Sequence, residues 1–288
     1  MASRRIADSE LIISPQGRVY HLNLHPEMIA DDVIVVGDPD RVEKISNYFD
    51  KIHHRINNRE LVTHTGELGG KRLSVISSGM GTDNVELLMT ELDALANIDF
   101  KTRKVKRKLK SLRIYRIGTS GCIQPDIPID AFLVSTAGVG LDTLMNFYQW
   151  KPGDTNEHFC SKVQRLVDLP FKPYMAEASI GLLGKFSDHM FQGVTITSPG
   201  FYAPQGRELR LPVAFADLPE RFQNIETPYG RFTNFEMETA GYYAMAKLLG
   251  HEIVSMNALI ANRANATFSN NHNQAVDRLI QLVLNLLV

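Results

Sequence analysis

The sequence is short of cysteine, of net charge and of long apolar runs. Cys122 and Cys160 are the two cysteines in 288 residues, so no disulfide framework is expected, and reduced thiols fit a cytoplasmic protein. With 31 basic and 32 acidic side chains the formal net charge is -1. Whole-chain charge therefore points neither to nucleic acid nor to membrane. The greasiest stretch, Leu279 to Val288, is too short to span a bilayer. Its Val276, Leu279, Ile280, Val283, Leu284 and Leu287 recur at helical spacing, which predicts a packed helix. Met1 to Ser14 is polar and lacks the apolar core of a secretory signal. Nine histidines are scattered without metal-ligand spacing, and there is neither a P-loop nor a Gly-x-Ser-x-Gly elbow. No metal is expected. No Pro/Ser/Gly-rich linker or internal repeat divides the chain, so residues 1–288 are read as one domain.

What is present is an alternation of short apolar runs with amphipathic helical patterns. Val33 to Val36 reads as a buried strand closed by Gly37, with Asp38 capping a helix whose first residue is Pro39 and whose inner face is Val42, Ile45 and Phe49. Leu73 to Ser77 is a second strand, followed by Gly79-Met80-Gly81 and a helix with Val85, Leu88, Met89, Leu92 and Leu95 inside. Leu112 to Ile117 is a third, ending in Gly118-Thr119-Ser120-Gly121. Ala131 to Thr136, Val194 to Thr197 and Ile253 to Ala261 are further strands, and Met237 to Leu249 is a helix. This alternation predicts an α/β sheet with helices on its faces. Ligands of such sheets gather at the carboxyl ends of strands, and glycine there permits close approach. Seven basic residues in Lys101–Lys110 read as a solvated surface, since no aromatic residue interleaves them for base stacking.

Four segments go beyond a generic α/β pattern: Gly37-Asp-Pro-Asp-Arg-Val42, Arg116-Ile-Gly-Thr-Ser-Gly121, Phe201-Tyr-Ala-Pro-Gln-Gly-Arg207 and Asn234-Phe-Glu-Met-Glu-Thr239. In this order, between about His21 and Arg263, they resemble the nucleoside phosphorylase-I family and, within it, the uridine phosphorylases. The resemblance implies a three-layer α/β/α sandwich with a mixed central sheet. It also implies reversible phosphorolysis of uridine to uracil and ribose 1-phosphate in pyrimidine salvage, with uridine and phosphate as the partners.

Such a reaction needs phosphate stripped of water beside the anomeric carbon, and guanidinium forks suit that task. Arg41 and Arg116 lie beside glycine turns, and Thr119 adds a hydroxyl. The resemblance assigns Gly37, Arg41, Arg116 and Thr119 to phosphate, with Arg59 supplied by a neighbouring subunit. Cleavage builds positive charge on the ribose, which a carboxylate can stabilise. The resemblance places Glu238 on the ribose hydroxyls with Met237 and Thr119 beside the sugar. It also places His21 on the 5′-hydroxyl of a partner's nucleoside. Glu236 is read equally well as a helix-start carboxylate favoured by the macrodipole. Uracil leaves with negative charge. Gln205 can bond its ring N–H and carbonyl, Arg207 can neutralise an oxygen, and Phe201 can pack on the flat base. Extended geometry would aim Gln205 and Arg207 to one side. Gly121 and Arg263 complete the expected base site. Purine-cleaving relatives have an aspartate near Arg263, and a permanent cation is a poor general acid.

Thr82-Asp83-Asn84 stands where many bacterial uridine phosphorylases have Gly-Pro-Ser. That serine and a glutamate matching Glu60 hold a monovalent cation in the family, and no cation is assigned here. No cofactor is expected, phosphate being a co-substrate. His21 and Arg59 together imply shared sites, hence at least a dimer, and the family commonly forms hexamers. A purine nucleoside phosphorylase or nucleosidase, or a catalytically silent nucleoside binder, is the alternative reading. Preference among uridine, 2′-deoxyuridine and thymidine stays open.

Overall fold

The computed structural model describes residues 4–288, so the first three residues of the polar N-terminal segment lie outside it. The apolar run at residues 33–36 forms the centre of β1 (Asp32–Val36), every residue of which is buried. Asp38 Oδ1 accepts from the Asp40 N–H at 3.0 Å, but regular helix α1 runs Asp40–Ser46 with Pro39, not Asp38, at its N-cap, and it stops short of the buried Phe49. An antiparallel meander follows: β2 (Lys51–Asn58), β3 (Leu61–Leu68) and β4 (Lys71–Ser77). Then comes α2 (Thr82–Asn97), with the anticipated inner face buried.

The basic segment is no helix. β5 (Ile98–Asp99) and β6 (Lys104–Val105) make a small exposed hairpin. Arg103 ties it to the N-terminal segment by donating to the carbonyls of Ile6 and Ala7. The remaining elements are β7 (Arg113–Cys122), β8 (Phe132–Gly140), α3 (Asp154–Val167), β9 (Tyr174–Glu177), α4 (Ile180–Phe186) and β10 (Phe191–Thr197). They are followed by α5 (Leu218–Gln223), β11 (Glu226–Thr227), β12 (Gly230–Glu236), α6 (Thr239–Leu249), β13 (Glu252–Asn262), β14 (Thr267–Phe268) and α7 (His272–Leu287).

The sheet runs β2-β3-β4-β1-β7-β13-β8-β10-β12-β11 and is mixed. β4, β1, β7 and β13 are parallel, whereas β8 joins β13 antiparallel. Helices cover both faces. Residues of α2 and α6 pack with Val33, Val35 and Ile76, and residues of α1, α4 and α7 pack with Ile34, Val36 and Val75. This is the expected three-layer arrangement.

One feature was not legible beforehand. β12 also pairs antiparallel with β7, through Asn234–Cys122 and Phe235–Gly121. Strands β7, β13, β8, β10 and β12 therefore close on themselves as a small barrel at one end of the open sheet. The Gly118–Gly121 stretch is consequently not a turn after a strand. β1 ends opposite Arg116, but β7 continues to Cys122 against β13. Glycines let the strand leave the open sheet for the barrel, where β13 shifts register between Leu259 and Ala261 to follow it.

The C-terminal helix α7 seals one face with a buried apolar stripe that includes the fully buried Leu279. Leu279→Ala should lower unfolding free energy by about 2–5 kcal/mol in denaturant titration, through lost transfer energy and an unfilled cavity.

Candidate active site

β1 stops while β7 runs on, leaving that edge of β7 uncovered between the end of β1 and its pairing with β12 at Gly121 and Cys122. A cavity of about 710 Å³ opens there. Its wall includes Gly37, Arg41, Arg116, Thr119 and Gly121 from the strand ends, and Met237 and Glu238 from the β12–α6 connection. Phe201, Gln205, Arg207 and Arg263 line it from two loops. Fourteen residues were expected to form the site, counting Glu236; twelve of them meet here.

At one end sit the two strand-end arginines. Arg41 projects from α1, and its Nη1 donates to the Ile117 carbonyl at 3.2 Å. Burial pushes its pKa down, Asp38 opposes that shift, and Arg116 adds to it. Arg116 is buried and folds back over its own strand. Its Nη2 reaches Glu238 at 2.6 Å and Glu236 at 3.0 Å, while Nη1 donates to Asn257 at 3.0 Å. Burial disfavours the Arg116 charge, but the two carboxylates more than offset this and hold its pKa above the usual value. The fold-back requires Gly118, because a Cβ there would lie 2.2 Å from Arg116 Nη1.

Glu236 serves the start of α6, as one of its two readings expected, but does so from the sheet. It is the last residue of β12, and α6 begins at Thr239. Its oxygens accept the N–H groups of Glu238 and Thr239 and the hydroxyls of Thr197 and Thr239. It thus caps α6 from within the sheet and presses on Arg116 from behind. Burial pushes its carboxyl pKa upward and Arg116 pulls against that, but every contact is a donor, the environment of a carboxylate. Glu238 Oε1 also accepts the Gly81 N–H at 2.8 Å. Gly81 has φ 95°, the left-handed side that suits glycine, so the second glycine turn binds the ribose-candidate carboxylate through its backbone.

At the other end, Gln205 and Arg207 are not on an extended strand. Ala203–Gln205 is a 3-10 turn closed by Gly206 at φ 69°. The side chains meet nonetheless, because the turn folds one back on the other. Arg207 Nη1 donates to Gln205 Oε1 and to the Phe201 carbonyl, both at 2.6 Å, and the guanidinium stacks 3.9 Å over the Phe201 ring. Burial and then the Arg263 charge push the Arg207 pKa down to about 10, which leaves it protonated at neutral pH. Arg263 Nη1 donates to the Gln205 carbonyl at 2.9 Å. Among the described residues neither arginine is in an ion pair, unlike Arg116.

His21 and Arg59 lie outside this cavity. Arg59 is exposed at φ 57° in the β2–β3 turn. Its neighbour Asn58 donates to the His21 carbonyl at 2.7 Å, so the two residues share one outer surface of the molecule. Glu60 and Gly79 line the cavity, and the Asn84 side chain lies against Gly79 with its Nδ2 turned to the Met80 carbonyl. Sequence reasoning missed Asn257 and Ser255, the far-side partners of Arg116. It also missed Ile260 and Phe268, which line the same cavity. No local pattern marks these four.

The phosphorylase superfamily model matches residues 31–288. The chain belongs to that family. Among phosphorylase relatives, it is 31% identical to the uridine phosphorylase of Escherichia coli (strain K12) over 88% of this chain and 89% of that one. It is 29% identical to the uridine phosphorylase of Thermococcus kodakarensis, covering 88% of this chain and 80% of the relative. The crystal structure of a Trypanosoma brucei nucleoside phosphorylase that shows uridine phosphorylase activity superposes with a TM-score of 0.87 at 25% identity, over 96% and 99% of the two chains.

For a phosphorylase, the crowded Arg116 fold-back gives a direct test. Gly118→Ala should displace the guanidinium and reduce phosphate-dependent turnover on the order of a hundredfold, as for other ångström-scale misplacements. Steady-state kinetics with phosphate varied would measure it. An unchanged kcat/KM for phosphate would show that Arg116 does not need this conformation.

Proposed function

We propose that this chain is a uridine phosphorylase that cleaves uridine reversibly with inorganic phosphate, giving uracil and ribose 1-phosphate in pyrimidine salvage. The observation that carries this reading is the sorting of arginines within one cavity. Arg41 and carboxylate-paired Arg116 stand at the glycine-turn end, and unpaired Arg207 and Arg263 surround Gln205 at the other.

Gly37, Arg41, Arg116 and Thr119 hold the attacking phosphate. One of its oxygens forms the new bond to the anomeric carbon as the glycosidic bond breaks, and the electron pair leaves with the uracil nitrogen. Glu238, fixed by Gly81 and Arg116, binds the ribose hydroxyls and stabilises the positive charge that grows on the sugar. Met237 packs beside it. The departing base carries negative charge between Arg207 and Arg263, with Phe201 against its face and Gly121 below. Since Gln205 Oε1 already accepts from Arg207, its second lone pair and both Nε2 hydrogens serve the ring N–H and a carbonyl. The arginine at position 263 cannot protonate a purine, which sets the purine alternative behind the pyrimidine one.

The two surface residues support a shared site. His21 and Arg59 reach into a neighbouring subunit's cavity, so the active form is at least a dimer and, by family resemblance, a hexamer. Among the described residues no helix is long and apolar enough to cross a membrane. The two buried free thiols fit a reducing cytoplasm.

Uracil release from uridine should depend on added phosphate, and equal release without it would turn the reading to a hydrolase. A panel of uridine, thymidine, inosine and adenosine should show uridine preferred over inosine. Arg207→Ala should cost about 3 kcal/mol in kcat/KM for uridine, as for other lost charge-stabilising donors. Sedimentation of the active enzyme should show no fully active monomer.

A further inference from the structure

We infer that Glu91 is a positioning residue for His21, holding its imidazole so that Nε2 faces the 5′-hydroxyl of the nucleoside in a neighbouring subunit. The inference rests on the uridine phosphorylase reading and on His21 acting across the subunit boundary.

Glu91 is a buried carboxylate on the outer side of α2, three turns along from the Gly81 that binds Glu238 in its own subunit. Among the described residues its one ion-pair partner is the His21 ring. Its Oε2 accepts the Leu22 N–H at 2.8 Å, and both oxygens accept the His21 N–H at 3.0 and 3.1 Å. Its Oε1 then takes His21 Nδ1 at 2.8 Å. A carboxylate whose other contacts are all donors leaves one role for Nδ1, that of donor. The proton is therefore fixed on Nδ1, and Nε2 is the free ring atom. Tyr20 meets the ring edge-on at 4.9 Å, and Asn58 holds the His21 carbonyl. Ring, backbone and tautomer are thus all set by this subunit, while the side chain stays 34% exposed and Nε2 takes no hydrogen bond among the described residues. A hydroxyl can donate to Nε2 when the ring is neutral and accept from it when the ring is charged, so the 5′-hydroxyl suits either state.

The geometry also links the two sites that one subunit serves. The same helix is preceded by Gly81, whose N–H holds the cavity-lining Glu238, and carries Glu91 further on, behind the histidine lent to the partner.

The test compares uridine with 5′-deoxyuridine, which lacks the hydroxyl in question. Glu91→Gln keeps the size of the side chain but replaces one acceptor oxygen with a donor, so it cannot hold the His21 N–H, the Leu22 N–H and Nδ1–H together and releases the ring from its set position. We expect kcat/KM for uridine to fall roughly tenfold, the scale of one lost hydrogen bond, and kcat/KM for 5′-deoxyuridine to stay unchanged. His21→Ala should give the same pattern, and the double variant should be no worse than His21→Ala alone. Glu91→Asp keeps the charge and should lose less than Glu91→Gln on uridine. Equal losses on both substrates, in the Gln and Asp variants alike, would make Glu91 merely structural and overturn the proposal. So would undiminished uridine turnover in Glu91→Gln. A wild-type enzyme inactive on uridine with phosphate would instead sink the functional reading on which the proposal stands.

Discussion

The candidate site depends on one buried charge arrangement, a guanidinium held between two carboxylates where two strands end. Arg116 on β7 cannot be buried without partners, and Glu236 and Glu238 at the end of β12 cannot be buried side by side without it. Each therefore specifies the position of the others. β12 must come alongside β7, α6 must start at Thr239, and Gly118 must be free of a side chain. The ion cluster is expensive to bury, and its value lies in the geometry it imposes on groups that face a ligand.

The two ends of the cavity use arginine in opposite ways. Arg116 is paired, so what it offers the cavity is direction rather than excess charge. Arg207 and Arg263 are half-buried and unpaired, and their mutual repulsion is left for an anion to relieve. Stacking on Phe201 and the bond to Gln205 keep Arg207 in place. Such pre-set donors need little reorganisation when charge develops on a leaving group.

Much of this was legible in the sequence because it is local. The buried strands β1 and β4 and the inner faces of α2 and α7 announce themselves through apolar runs and helical spacing. The β2–β3 hairpin did not, because Lys51–Asn58 is a polar edge strand with only partial burial on one side. Gly118–Gly121 reads as a turn by composition, and only the long reach of β13 shows it to be strand. Asn257 supports Arg116 from 141 residues away, a distance over which sequence alone carries no register. The candidate site residues stood out because their motifs are short and ordered. The place of Glu236 in the sheet did not, since it required knowing that α6 starts two residues later than its pattern suggests.

The closure of β12 onto β7 has a mechanical consequence. A ring of hydrogen-bonded strands resists shear in a way an open sheet does not, because no strand can slide without breaking pairs on both sides. The carboxylates of β12 and the arginine of β7 thus behave as fixtures in a stiff hoop. Any yielding that admits a substrate and releases its products falls to the connections outside the hoop, the 201–207 turn and the segment after Arg263 that carries Phe268. The molecule thus divides into a hoop that fixes Arg116 and Glu236 and loops outside it that bring Phe201, Gln205, Arg207 and Phe268 to the same cavity.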